Sequence, residues 1–321
     1  MSRRVLAACL FLMVALGGIF FYRACGRFTG RKSLPKFPQA RQAQPSFQSV
    51  TQAPFGLVNA RFFESRRSQR KWEIFAKFAE LHRTENYAYI QTVTGLFYAQ
   101  NSENVVTTTS EYGRCYLDEN RIELEGNVEV TSVAGYRFTM PRLVYAGKQH
   151  EFRSHDIVSM VGPLVAEPTM YLRGRGLVGK IDEHQFHLAR QVTFRRLLQS
   201  SQWVAVRADS GDFDTQNQRA NFEGNVHTVI PAMRVESKRL EIKTLPTGES
   251  LVAEGKVEWT GSKRSGSSDV LRFGSVSNEI MLEGHARVTD ADQNVLAGQR
   301  IILSTADDRI IVEQAKGKIV N

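Results

Sequence analysis

Apolar and polar residues alternate with a period of two over most of this chain. In Ile122–Val130, Ile122, Leu124, Val128 and Val130 share one face, while Glu123, Glu125, Asn127 and Glu129 share the other. That alternation predicts a β-strand with one buried and one wet face. The segment carries Glu-Gly near its centre. The same signature returns at Asn221–Val226, Ala253–Val257 and Met281–Ala286, with weaker copies at Ser154–Val158 and His187–Val192. A second signature (apolar, x, small, x, Arg, apolar, x, apolar) follows about 16 residues later at Phe138–Tyr145, Val235–Ile242 and Leu296–Leu303. Degenerate copies without the Arg lie at Ile74–Leu81, Leu172–Leu177 and Val206–Phe213. The small-residue position is occupied by Ala76, Thr108, Met140 (large, an exception), Gly174, Ala208, Ser237, Ser268 and Gly298, in steps of 29 to 34 residues. A rhythm held over that span predicts a repeating architecture.

The apolar parity flips between Phe138 and Leu143, and between Val235 and Leu240. One extra residue does this, so a β-bulge or bend is expected in these strands. Recurrent glycine on the buried face removes bulk where sheets converge. Pro141, Pro163, Pro168, Pro231 and Pro246 fall in expected loops or edges. Arg66–Leu81 can also be read as an amphipathic helix, with Trp72, Phe75, Phe78 and Ala79 on one side; the repeat alignment favours a strand at Trp72–Leu81. One sheet cannot bury its own apolar face. The expected fold class is therefore all-β, about eight units of roughly 30 residues, either a flattened β-solenoid or an elongated jelly-roll-like twisted antiparallel sandwich. Either form leaves open edge strands that suit pairing with neighbours.

Ahead of the repeats, Val5–Tyr22 is an 18-residue run without a charge. It is long enough to span a bilayer and lacks an Ala-x-Ala cleavage pattern after it. Leu6-Ala7-Ala8-Cys9 has the form of a lipoprotein box, but no apolar stretch precedes it. An uncleaved transmembrane helix is expected. Only Arg3 and Arg4 precede the run, whereas Arg23, Arg27, Arg31, Lys32, Lys36 and Arg41 follow it. Charge bias alone would keep the large domain cytoplasmic, although long domains translocate despite such charges. Gly30–Gln52, rich in Gln, Pro, Ser and basic residues, reads as a flexible tether.

Composition adds little to this picture. A hydrophobic fraction of 42% fits a folded protein, and a formal net charge of +9 fits an acidic partner or simple solubility. Cys9, Cys25 and Cys115 share no motif spacing; a Cys25–Cys115 bridge is conceivable, but neither a disulfide framework nor a metal site is indicated. Gly174-x-Gly176-x-x-Gly179 is formally a dinucleotide fingerprint, yet it lies inside the β repeat rather than between a strand and a helix. His184 and His187 lack further ligands nearby in a strand-like run. No catalytic elbow, phosphate loop or paired carboxylate motif stands out, so no catalytic residue, metal or cofactor is expected.

Lys71–Ala79 (KWEIFAKFA), Glu123–Val128 (ELEGNV) and Met140–Tyr145 (MPRLVY), after an N-terminal anchor, resemble the lipopolysaccharide-transport C-type family, LptC. Ala208–Asp214 (ADSGDFD) and Arg219–Val226 (RANFEGNV) resemble the A-type bridge family, LptA or OstA-like. The resemblance covers about residues 60–321. It implies a cytoplasmic stub and anchor at 1–29, a linker at 30–60, an LptC-like β domain at 61–200 and an LptA-like β domain at 201–321. The usual C-type protein has one such domain, so this chain looks like two joined. The resemblance also implies a non-enzymatic role in outer-membrane biogenesis, at the inner membrane with the large domain periplasmic. Lipopolysaccharide would be received from an inner-membrane ABC transporter complex and passed along a β groove continued by strand addition between Lpt-type domains. Nucleic acid is not an expected partner, because the aromatics follow the buried parity rather than an exposed basic face.

Candidate groove residues are the inward apolar ones: Ile122, Leu124, Val128, Tyr136, Phe138, Phe222, Val226, Val235, Val257, Trp259, Leu282 and Val288. Each is equally well an ordinary core residue. Arg142, Arg239 and Arg300 recur in register and could face phosphates, or stand on a solvated outer face. The competing function is a β-solenoid that binds polysaccharide or serves as a structural protein of the cell envelope; a polysaccharide-cleaving solenoid would need clustered acids on consecutive repeats. A periplasm-specific reporter fused after Asn321 is expected to be active in cells. Activity of a cytoplasm-specific reporter at that position would overturn the topology.

Overall fold

A computed structural model describes residues 55–66, 69–99, 105–163, 167–230, 233–277, 279–304, 309–313 and 316–318. The expected anchor (1–29) and residues 30–54 of the expected linker lie outside these residues; the last six residues of that linker, 55–60, lie in the first strand. The described residues hold no helix. The first nine strands are β1 (Phe55–Arg66), β2 (Gln69–His82), β3 (Tyr87–Tyr98), β4 (Val105–Tyr116), β5 (Arg121–Thr131), β6 (Arg137–Ala146), β7 (Glu151–Gly162), β8 (Met170–Lys180) and β9 (Gln185–Leu197). They continue as β10 (Trp203–Ala208), β11 (Ser210–Asp214), β12 (Arg219–Ile230), β13 (Met233–Leu245), β14 (Gly248–Gly261), β15 (Arg264–Gly274), β16 (Glu279–Asp290), β17 (Val295–Ser304), β18 (Ile310–Glu313) and β19 (Lys316–Lys318). Trp72–Leu81 is thus in a strand, and Gly174, Gly176 and Gly179 all lie within β8, with a hairpin rather than a helix after them.

Each strand pairs antiparallel with the next, from β1–β2 through to β16–β17. The one departure is an interrupted strand: β10 and β11, parted at Asp209, both lie between β9 and β12. β18 and β19 similarly share the last position beside β17. Among the described pairings β1 is bonded only to β2, so the meander is open rather than a closed barrel.

The sheet does not stay flat. Phe138 of β6 lies in register with Met160, Leu172 and then Phe194 of β9. In a flat sheet Phe186 would stand eight residues further along β9, about 26 Å away along the strand. Instead the Phe138 and Phe186 rings meet edge to face with centroids 5.1 Å apart. Phe97 of β3 likewise meets Tyr145 of β6 at 4.6 Å and Phe152 of β7 at 4.8 Å, and Phe194 meets Phe222 of β12 at 5.2 Å. The strands therefore fold over at their middles. One half of each strand faces the opposite half of strands about three further on, and the apolar faces close on one another as a two-layered core.

The bend is written into both repeat signatures. Gly126-Asn127, Gly224-Asn225, Gly255-Lys256 and Gly284-His285 are consecutive residues with left-handed φ, for example +76° and +44° at Gly224 and Asn225. Register shifts occur at these points, between Glu125/Val128, Glu223/Val226, Glu254/Val257 and Glu283/Ala286. The opposing strand bends too: Met233, Val235 and Ser237 are buried, then Leu240 and Ile242, which is the parity flip visible in the sequence. Side chains lock the bend across strands. Asn225 Nδ2 donates to Asp209 Oδ2 at 2.8 Å, His285 Nδ1 meets Asp269 Oδ2 at 2.8 Å, and Asn127 Nδ2 donates to Glu111 Oε1. Each partner lies 16 residues upstream, the spacing between the two signatures. Next to two of these acids, Ser110 and Ser268 donate their hydroxyls to the carbonyls of Tyr112 and Val270, both at 2.9 Å.

Where the two layers meet at the strand ends they form a seam. Near the first strands Trp72 Nε1 donates to Asn120 Oδ1 and Glu64 Oε2, both at 2.9 Å. Near the middle of the chain a buried carboxylate closes it. Glu249, at the start of β14, is 3% exposed. It accepts the Gln199 amide at 3.1 Å and the Ser275 hydroxyl at 2.8 Å, with the Arg196 guanidinium 3.9 Å away. Arg196 also donates to Thr244 Oγ1 at 2.6 Å. This network ties the end of β9 to the β13–β14 hairpin, about 50 residues later in sequence.

Three substitutions test the bend and the seam separately. Gly224→Ala places a Cβ on the Asp209 carboxylate at a left-handed φ, and is expected to cost about 1–3 kcal/mol in urea unfolding. Gly179→Ala, whose Cβ meets nothing closer than Phe186 Cβ at 3.8 Å, should be near neutral; equal effects would contradict the assignment. Glu249→Ala removes the carboxylate facing Arg196 and leaves the Gln199 amide without its acceptor, and is expected to cost about 3 kcal/mol. A loss within about 0.5 kcal/mol, the range for plain surface changes, would show that the network does not hold the seam.

Candidate lipid groove

The inward parity of the strands delivers a continuous apolar interior, and packing decides where that interior is solid. Ile122, Leu124, Val128, Phe222, Val226, Val235, Val257, Trp259, Leu282 and Val288 are all buried at 5% exposure or less, within one core cluster. Tyr136 is partly buried against that cluster and Phe138 is buried at its margin. These last two line open space.

That space is an apolar cavity of about 100 Å³ between the layers. Val106, Val130, Tyr136 and Phe138 line it from one layer, and Phe152, Leu177 and Phe186 from the other. Its polar residues are Ser132, Lys180, His184, Gln185 and Thr215, set at hairpin ends along the seam. A second, smaller void of about 40 Å³ shares Tyr136, Phe186 and Thr215 with it and adds Met160, Met170, Phe213 and Ala220. The layers therefore part between the Trp72–Asn120 closure and the Glu249 network. Outside, a recess of about 380 Å³ shares Lys180, Gln185 and Phe186 and carries His187, Asp212, Asp214, Arg219 and Asn221. Asn217 and Gln185 donate to Asp214 and hold its carboxyl below the usual range, outweighing partial burial.

Sequence parity had placed Val130 on the inward face, but nothing in the sequence distinguished it from its neighbours. Phe152, Leu177 and Phe186 were not singled out at all. Their shared signal is a position near a hairpin end, where a tapering sandwich is least filled. A void this small accommodates one methylene stretch; about 0.8 kcal/mol per buried CH₂ is the attraction such walls offer. Its Phe and Leu walls can repack by rotamer changes without breaking a backbone hydrogen bond.

The three recurrent arginines point outward and are each engaged. Arg142 holds Asp156 through two bonds at 2.9 and 3.0 Å, and the same hydrogen bonding keeps the Asp156 carboxyl below its ordinary value. Arg239 pairs with Glu254 at 2.9 Å, and Arg300 with Glu313 at 3.4 Å. They brace the bend across adjacent strands. Among the described residues no group of three or more His, Cys, Asp or Glu side chains could hold a metal. Cys115 is a buried free thiol, pushed up to about 12 by its burial.

Among the described residues both ends of the meander carry unpaired strand edge. Along β1, Phe55, Val58 and Phe63 are 54%, 68% and 59% exposed, and one whole edge of the strand carries no described partner. At the other end, among the described residues, β17 is covered on its far side by the short β18 and β19.

Comparison with known proteins bears on both segments. Residues 41–197 match a family model described as "Lipopolysaccharide-assembly, LptC-related", and residues 205–309 match one described as "LptA/(LptD N-terminal domain) LPS transport protein". No curated protein matches the chain. A solved structure of LptH, the LptA-homologous periplasmic component of the lipopolysaccharide transport device of Pseudomonas aeruginosa, is similar at 15% identity, covering 37% of this chain and 95% of that one with a TM-score of 0.35. The two family matches adjoin on either side of the β9–β10 turn and together take in most of the β-sheet. Proteins of these families are transport components, not enzymes. Two adjoining segments of the chain therefore match lipopolysaccharide-transport families, an LptC-related segment continued by an LptA-like one.

Proposed function

We propose that this protein carries the acyl chains of lipopolysaccharide between its two β layers and hands them on through edge-to-edge pairing with further Lpt-type β domains. The observation that carries the reading is the apolar opening at Phe138 and Phe186, in a fold whose two segments match Lpt families. Acyl chains need a dry, deformable wall; the sugars and phosphates need water at the seam. Lys180, His184 and Gln185 stand where an acyl chain would emerge into a hydrated head group.

In this reading Ile122, Leu124, Val128, Phe222 and Val226 are wall residues that part as lipid advances, and Val235, Val257, Trp259, Leu282 and Val288 continue the wall toward β17. Residues 61–200 act as the receiving part and 201–321 as the forwarding part. Because β9 and β10 are hydrogen-bonded within one chain, the step between the two needs no partner docking. The 18-residue uncharged run at Val5–Tyr22 would hold the receiving part at the inner membrane, beside an ABC transporter that supplies the energy. The exposed Phe63 and Val58 of β1 and the partly covered β17 would be the docking edges. An A-type segment already in the chain could take over the place of a separate bridge protein.

Photo-crosslinking amino acids at Phe138 and Phe186 are expected to capture lipopolysaccharide in cells, and one at Glu129 on the outer face is not. Capture at Glu129 with none at Phe138 would contradict an interior path.

A further inference from the structure

Five arginines crowd the outward face of β8, β9 and β10; Arg175 lies near Asp156, which also holds Arg142, and Arg173, Arg190, Arg195 and Arg207 show no ion pair among the described residues. Arg173, Arg190, Arg195 and Arg207 are exposed and Arg175 is half-buried. Elsewhere on the outer face the arginines at bends are paired, as in Arg142–Asp156, Arg239–Glu254 and Arg272–Glu283. The acids nearest in sequence and register are already committed: Asp156 to Arg142, Asp209 to Asn225 and Asp212 to His187.

Register places the five together. Arg175 stands directly opposite Arg190. Side chains so placed start about 5 Å apart, and like charges there repel. Arg173 and Arg207 both flank Thr193, one from each side. That sets the two backbones roughly 9.5 Å apart, a span two guanidinium groups close on a single phosphate. Arg175 Nε is buried with no hydrogen-bond acceptor, an unsatisfied donor of a kind folded proteins rarely leave without a ligand. Beside the arginines lie two exposed rings: Tyr171 and Trp203 are 5.9 Å apart, and the Arg195 guanidinium sits 5.1 Å over Trp203. Guanidinium forks match phosphate oxygens, and flat aromatic faces offer a platform for the C–H face of a sugar ring.

We propose that the outward face of β8–β10 is a binding site for a phosphorylated saccharide, with phosphate held by Arg173, Arg175 and Arg207 and a sugar ring on Tyr171 and Trp203. The choice of saccharide rests on the lipopolysaccharide reading; the anion chemistry does not. The site is separate from the acyl path, since none of the five arginines lines the cavity and four of them are exposed. It would let the head group be gripped outside while its acyl chains run within.

The test uses the full chain in detergent and a deacylated, phosphorylated core oligosaccharide, which cannot occupy the interior. Calorimetry is expected to give saturable binding that weakens as salt is raised. The triple change Arg173→Gln, Arg175→Gln and Arg207→Gln should weaken it at least tenfold, as should enzymatic dephosphorylation of the oligosaccharide. The corresponding triple Lys variant should keep part of the affinity, showing that the fold is intact. Crosslinking of lipopolysaccharide at Phe138 should persist in the Gln variant, which separates this site from the acyl path. No saturable binding to the wild type, equal binding by the Gln variant, or binding to vesicles of anionic lipid alone would each overturn the proposal.

Discussion

The fold depends on a bend that ordinary strands resist. A pair of left-handed residues in the middle of a strand is tolerated where the first is glycine and the second can hydrogen-bond sideways, as Asn225 does to Asp209 and His285 to Asp269. Repeated down the chain, this pair turns a single antiparallel meander over on itself. The two halves of one sheet then serve as each other's cover, which is how a chain without helices in its described part buries its inward face. Without the bend, that apolar face would have nothing to pack against.

The same construction explains why an interior opening exists at all. Layers that diverge from a line of bends are tightest at the bends and loosest at the strand ends. Trp72 with Asn120 and Glu249 with Gln199 and Ser275 draw the ends together at two places. Between them the walls are Phe138, Phe152 and Phe186, large side chains without polar atoms, and a void persists. An interior held by polar clasps at its margin and by rotamer-flexible hydrocarbon within is suited to admit a lipid tail while the backbone ladder stays whole. Covalent continuity through β9 and β10 extends that interior across two segments that match different Lpt families.

Much of this was legible in the residues themselves. Period two in Ile122–Val130, the recurrent Glu-Gly and the parity flip at Val235–Leu240 foretold strands, repeat and bulge. The amphipathic helix reading of Arg66–Leu81 gave way to β2 because its neighbours β1 and β3 supply the ladder that its backbone needs. The sequence did not reveal that Glu-Gly marks the bend itself, because an αL pair is a backbone property that residue type only permits. It also could not separate Phe138, beside a void, from Val226, in solid core: both have the same parity, and only three-dimensional taper divides them. Arg142, Arg239 and Arg300 recurred for a structural reason, each bracing a bend against an acid. The clustered arginines of β8–β10 carried no repeat signal, so pattern reading passed over them.

The central claim is that lipid runs between the layers, and a structure of the protein bound to lipopolysaccharide tests it most directly. The account predicts acyl-chain density separating Phe138 from Phe186, whose rings stand 5.1 Å apart here, with the bends at Gly126 and Gly224 unchanged. Acyl chains lying on the outer face, with that aromatic contact intact, would contradict it.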